Sequence, residues 1–217
     1  MNLVIGFLGG LGNAARRRSP GFKAAVYVLL GSVPAGVAGI LWKDWFESAF
    51  ESVAFAGVGL LVTGTVLFLL GGIGSSRGRR GMAAAEMGVV RAFLVGVSQA
   101  VAIAPGISRS GMTISTGVAA GLRGEEAARF SFLLCIPATV GAALLGVRDY
   151  VSSAVDVAGA GVQEAPLAAM AIVAVTSFIS GTVALRYLIG LLRRGGLKPF
   201  AYYCWVVGAA ALVVSAL

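Results

Sequence analysis

Apolar runs close to 20 residues long recur along this chain, and a soluble fold has no place to bury so many of them. The hydrocarbon core of a bilayer is about 30 Å thick and is crossed by about 20 apolar helical residues. Such runs lie at about Lys23–Trp42, Val53–Ile73, Ala127–Val147, Pro166–Leu192 and Pro199–Leu217, with an interrupted apolar stretch at Val89–Leu122. The expected fold is an all-α integral membrane protein with about five transmembrane helices. It forms one membrane domain over residues 1–217. Charge content agrees: 12% of residues are charged, against about 25% in soluble domains. Pro34 and Pro137 fall inside two of the runs, and membrane helices accommodate such prolines as kinks.

The net charge of +8 would suggest nucleic acid in a soluble protein. Here the basic residues cluster in short loops, so they set orientation instead. Arg16, Arg17, Arg18 and Lys23 form one cluster, and Arg77, Arg79 and Arg80 a second. Arg123 with Arg129, and Arg193 with Arg194 and Lys198, complete the set. All four clusters belong on the cytoplasmic side. The segment with Asp44, Glu47 and Glu51, and the one with Asp149, Asp156 and Glu164, read as outside loops. Both ends of Val89–Leu122 are then cytoplasmic. Two crossings need about 40 residues, and this stretch has 34. A re-entrant hairpin over about residues 89–122, turning at Pro105-Gly106, satisfies the count. A single crossing that breaks the charge rule is the competing reading.

Polarity concentrates at the turn. Ser98 and Gln99 precede it, and Ser108, Arg109, Ser110, Thr113, Ser115 and Thr116 follow. A charge at membrane depth costs several kcal/mol unless paired, and no acidic residue lies between Arg91 and Arg123. A bound anion is the natural partner. Guanidinium offers a planar fork of donors to phosphate oxygens. Gly106 and Gly111 would leave backbone N–H groups open, and a helix starting near Gly111 would aim its N-terminus at the same point. Ser108, Ser110 and Thr113 would add hydroxyl donors, and Gln99 either a substrate contact or an interhelical bond. The competing reading is an arginine that snorkels to the interface beside a broken helix.

The run Pro105-Gly106-Ile107-Ser108-Arg109-Ser110-Gly111-Met112-Thr113 resembles the signature of the undecaprenyl-diphosphatase family, the bacitracin-resistance phosphatases. The resemblance continues from Gly121 through Ala138, and more weakly at Leu29–Ala35 and Lys198–Tyr203. It implies a multi-pass protein of the bacterial inner membrane that hydrolyses undecaprenyl diphosphate to undecaprenyl phosphate, recycling the carrier of cell-wall synthesis. It also implies inverted repeats, each with a re-entrant hairpin, and a divalent cation, Mg2+ or Ca2+. Partners would be a polyprenyl diphosphate and membrane lipids, without nucleic acid, and a homodimer is admissible. Arg109 would bind the diphosphate with Ser108 and Ser110 beside it as catalytic groups. Gly106, Gly111, Thr113 and Gln99 would contact substrate. A lipid-phosphate transporter or flippase, or an inactive shortened relative, are the alternatives.

Departures from the family pattern are specific. The family's other hairpin carries a Glu-x-x-x-Glu pair and a Ser-Ser-x-Gly-His run near the N-terminus; neither stands near the N-terminus of this chain, which has no histidine at all. The expectation is an N-terminally shortened member without the carboxylates that would hold a metal. Met1–Gly12 is apolar and is followed, not preceded, by Arg16–Arg18, the reverse of a signal peptide. Cys204 stands where the family commonly has arginine. Cys135 and Cys204 lie in separate runs and read as free packed thiols. Glu125 and Glu126 read as first-turn helix acids, Glu86 as a solvated loop residue, and Arg186 as a snorkelling cation. Trp42, Trp45, Tyr202, Tyr203 and Trp205 read as interfacial aromatics.

Overall fold

The structure, a computed structural model, describes residues 19–77, 81–156, 167–193 and 198–216. Met1–Gly12, Arg16–Arg18, Arg79, Arg80, Glu164 and Arg194 lie outside the described residues. Eight α-helices are described: α1 Pro20–Leu41, α2 Lys43–Phe50, α3 Val53–Arg77, α4 Gly88–Val101, α5 Arg109–Ala119, α6 Gly124–Asp156, α7 Leu167–Arg193 and α8 Lys198–Ser215. Pro20–Leu41, Gly124–Gly146 and Lys198–Ser215 are each long and apolar enough to cross a membrane. A fourth span comes from α2 and α3 if that pair, bent by 97°, is counted as one. The protein is an all-α, multi-pass membrane protein.

Pro34 and Pro137 sit inside α1 and α6, and both helices continue through them. Helix α6 runs nine residues past the expected end at Val147, to Asp156. The expected outside loop after α1 is instead the short helix α2. Its acids, Asp44 and Glu47, alternate with Trp45, Phe46 and Ala49, so one face is apolar and only Ala49 is buried. Trp45 packs edge-on against Phe46 and against Phe55 of α3. The counted charges hid a helical period, the pattern of an interface-lying helix.

Helices α4 and α5, with 14 and 11 residues, are about 21 and 16 Å long at 1.5 Å per residue. Neither spans about 30 Å of hydrocarbon. Their outer ends meet. Met82 N–H donates to Gly121 C=O (3.0 Å), and Arg123 N–H donates to Met82 C=O (3.2 Å). Glu126 accepts from Ala84 N–H at 3.1 Å while pairing with Arg129. The first-turn acid therefore also ties the foot of the hairpin. Exposed Glu86 accepts from Ala83 N–H (3.1 Å) and closes its own turn.

One core joins α1, α4, α5 and α6 through Val28, Ala92, Val95, Ile114, Val118, Phe130 and Leu134. A smaller one joins α3 and α8 through Leu67, Ala201 and Cys204. Helix α5 packs against both groups. Close approach depends on small residues, as is usual between membrane helices. A Cβ on Gly96 of α4 would strike the Gly31 carbonyl of α1, whereas one on Gly36 would meet nothing within 4 Å. Gly96→Val should therefore cost at least about 1–3 kcal/mol, seen as a lower melting midpoint in detergent. Gly36→Ala should leave the midpoint unchanged or raise it. Equal midpoints for both variants would refute this packing.

Candidate functional site

Between α4 and α5 the chain turns through Pro105, Gly106 and Ile107. Gly106 has φ +79°, a region that other residues enter only at a cost. Its missing side chain also matters: a Cβ there would strike the backbone of Ala56 on α3. The glycine thus serves close contact with α3 as well as the turn. Across this contact, the Thr63 hydroxyl accepts from Ser108 N–H (2.9 Å) and donates to Gly106 C=O (3.1 Å).

Helix α5 starts at Arg109, two residues before the expected start near Gly111. The reason is a cap. Ser108 is extended and its hydroxyl oxygen accepts from Gly111 N–H at 3.1 Å, the usual serine N-cap. The Gly111 N–H expected to face a ligand is therefore spent inside the helix. The N–H groups of Arg109 and Ser110 remain at the helix end, where no intrahelical partner exists. The helix dipole adds about half a positive charge there.

A cavity of about 500 Å³ opens onto this end. Leu60, Thr63 and Leu67 of α3 line it, with Ser108, Ser110, Gly111 and Ile114 at the start of α5. Ala184 and Tyr187 of α7 and Phe200, Tyr203 and Cys204 of α8 complete the wall. Most of this lining is apolar. Tyr187 and Tyr203 are exposed, so the cavity opens to the surface beside α7 and α8. Such a space admits a hydrocarbon chain and presents hydroxyls and a helix N-terminus at one end.

The site residues expected from sequence do not all converge. Ser108, Ser110 and Gly111 line the cavity, and Arg109, Gly106, Thr113 and Gln99 do not. Arg109 is half-buried and shares a helix edge with Thr113, four residues on, rather than with Ser110 and Ile114. Among the described residues its guanidinium has no ion pair or hydrogen-bonded partner. Thr113 is fully buried. Its hydroxyl lies 2.6 Å from the Ser131 hydroxyl on α6 and bonds to Arg109 C=O at 2.8 Å. Thr113 fastens α5 to α6 and has no free donor for a ligand, which corrects its expected role. Arg186 is exposed, and both cysteines are free. Tyr202 and Trp205 pack on Phe68 of α3.

Thr63, Tyr187 and Tyr203 were not expected at the site. The sequence signal for Thr63 was available: it is a polar residue inside a long apolar run, and such groups at membrane depth are usually bonded to something specific. No group of three His, Cys, Asp or Glu side chains that could hold a metal occurs among the described residues. Ca2+ takes six to eight oxygen ligands and Mg2+ a near-ideal octahedron. The described donors do not fit a protein-held divalent ion, and no step below runs through one.

Gln99 is 1% exposed, and among the described residues both polar atoms of its amide lack a partner, as does the Ser115 hydroxyl. An unsatisfied buried polar group costs about 1–3 kcal/mol. Gln99→Met should therefore keep or raise the melting midpoint in detergent. A fall of several degrees would show that the amide has a bonding partner after all.

The protein-family model described as "Bacitracin resistance protein BacA" matches residues 1–210. A protein of Methanothermobacter thermautotrophicus named undecaprenyl-diphosphatase is 45% identical over 190 residues, covering 86% of this chain and 99% of the relative. A relative of that name from Korarchaeum cryptofilum is 37% identical over 214 residues, covering 97% of this chain and 75% of its own. A third, from Halothermothrix orenii, is 37% identical over 190 residues, 88% of this chain and 69% of its own. With the family model running through the spans, the hairpin and its capped tip alike, the chain belongs to the bacitracin resistance protein BacA family.

Proposed function

We propose that this protein hydrolyses undecaprenyl diphosphate to undecaprenyl phosphate and inorganic phosphate, at the inner (plasma) membrane, and so recycles the lipid carrier of cell-wall synthesis. The observation that carries the reading is the cavity: a space lined mainly by apolar side chains that ends on Ser108, Ser110 and the N-terminus of α5. Its chemistry matches a substrate with a long hydrocarbon tail and a multiply charged anionic head. The name undecaprenyl-diphosphatase, shared by relatives up to 45% identical, supports the same reading.

In this reading the tail lies among Leu60, Leu67, Ile114 and Phe200, and the diphosphate meets the start of α5. Water attacks the terminal phosphorus and loses a proton to solvent as the new P–O bond forms. The bond to the bridging oxygen breaks, and undecaprenyl phosphate leaves with that electron pair. Negative charge spreads over the transferred group and the bridging oxygen, so fixed donors aimed there lower the barrier. The N–H groups of Arg109 and Ser110 supply two such donors and the Ser110 hydroxyl a third. Ser108 keeps its O–H proton to donate, because the cap uses only its oxygen as acceptor. Arg109 does not line the cavity; its guanidinium, unpaired among the described residues, would turn past the helix end when substrate binds, as a fork for two phosphate oxygens.

Arg109→Ala should lower kcat for phosphate release by about 10²–10³-fold, the loss seen when one charge-stabilising donor is removed. Arg109→Lys should recover only part of it, because ammonium cannot form the fork. Folded protein, followed by detergent melting and gel filtration, should be unchanged. Phosphate release at the wild-type rate from Arg109→Ala would remove the arginine from the site.

A further inference from the structure

We infer that Thr63 is a positioning residue for phosphoryl transfer, holding the hairpin tip in the one conformation that aims α5 at the cavity; this rests on the phosphatase reading above. Thr63 lies on α3, which is separate in sequence from the hairpin and packs directly against α5. Its side chain is 1% exposed. The hydroxyl makes two bonds to the turn, on either side of Ile107: it donates to Gly106 C=O at 3.1 Å and accepts from Ser108 N–H at 2.9 Å.

The second bond fills a gap that the local sequence creates. At many helix starts the N–H of the capping residue is taken by a Glu or Gln side chain three residues on. Here that position is Gly111, which has no side chain to return. Ser108 caps the helix in one direction, accepting from Gly111 N–H. The other direction is supplied from α3, 45 residues away in sequence. The first bond fixes a glycine with φ +79°, otherwise free to adopt many backbone conformations. The two bonds together determine where Ser108 and the first N–H groups of α5 point. A valine of nearly the same shape would fill the site but leave Ser108 N–H and Gly106 C=O unpaired.

The test uses Thr63→Val and Thr63→Ser in the full chain, with two readouts. Hydrogen exchange of peptides spanning Gly106–Gly111 reports the clasp itself, without reference to activity. Protection should fall in Thr63→Val and stay near wild type in Thr63→Ser. Steady-state phosphate release from undecaprenyl diphosphate reports the role in the reaction. The expected result for Thr63→Val is a kcat about tenfold lower with KM within about twofold, since a misaimed helix end loses transition-state contacts while the cavity still takes the tail. Thr63→Ser should restore kcat to within about threefold of wild type. Unchanged exchange in Thr63→Val would overturn the clasp. A wild-type kcat, or a loss equal to the fraction of unfolded protein, would overturn the positioning role. Wild-type protein that releases no phosphate while the exchange result holds would overturn the phosphatase reading and the role in transfer together, leaving the clasp as a structural feature.

Discussion

The architecture depends on one close contact, the backbone of the hairpin tip laid against the backbone of α3. Non-helical backbone at membrane depth survives only when protein satisfies its polar groups. At Pro105–Ser108 that satisfaction comes from a neighbouring helix with small residues at the point of contact. A Cβ on Gly59 would strike Pro105 C=O, and one on Gly106 would strike Ala56. With both positions bare, the Thr63 hydroxyl comes within bonding distance of the turn. The start of α5 is then set by α3 as much as by its own sequence.

From that contact the rest follows in order. A fixed turn lets Ser108 cap α5, and the cap aligns the first N–H groups at the cavity end. Thr113 and Ser131 hold the same helix on its other side. At the opposite end, Met82, Gly121, Arg123 and Glu126 close the feet of the hairpin. Helix α5 is thus held at tip, flank and foot, which suits a group of donors that must not move as charge develops. The cavity needs no such precision. Its apolar walls bind through burial, which is roughly proportional to area and without direction.

The spans, the hairpin and its turn at Pro105-Gly106 were legible because hydropathy and loop charge report on environment, and both act over whole segments. The expectation of an anion at Pro105–Thr113 came from the sequence because an arginine at membrane depth with no acid nearby in sequence needs a negative charge from elsewhere. Three features were not legible, each for a physical reason. Helix α2 was hidden because Asp44, Glu47 and Glu51 dominate a simple charge count. That the Gly111 N–H and the Thr113 hydroxyl are already engaged was not legible, because composition does not say whether a donor is spent; the first bonds to the Ser108 hydroxyl oxygen and the second to Arg109 C=O. The cavity wall from α7 and α8 could not be read, because packing between segments far apart in sequence leaves no local pattern. Thr63 lies between these cases: its polarity was visible, but its partners were 43 and 45 residues away.

The central claim is that the diphosphate sits at the start of α5 with its tail in the cavity among α3, α7 and α8. Photolabelling tests it most directly, using a polyprenyl diphosphate that carries a photoreactive group on its first isoprene unit. The account predicts adducts on peptides containing Leu60–Leu67, Ser108–Ile114 or Phe200–Cys204, competed away by unlabelled undecaprenyl diphosphate. Competed labelling confined to α1 and the α1-facing side of α4, with the cavity peptides unmodified, would contradict it.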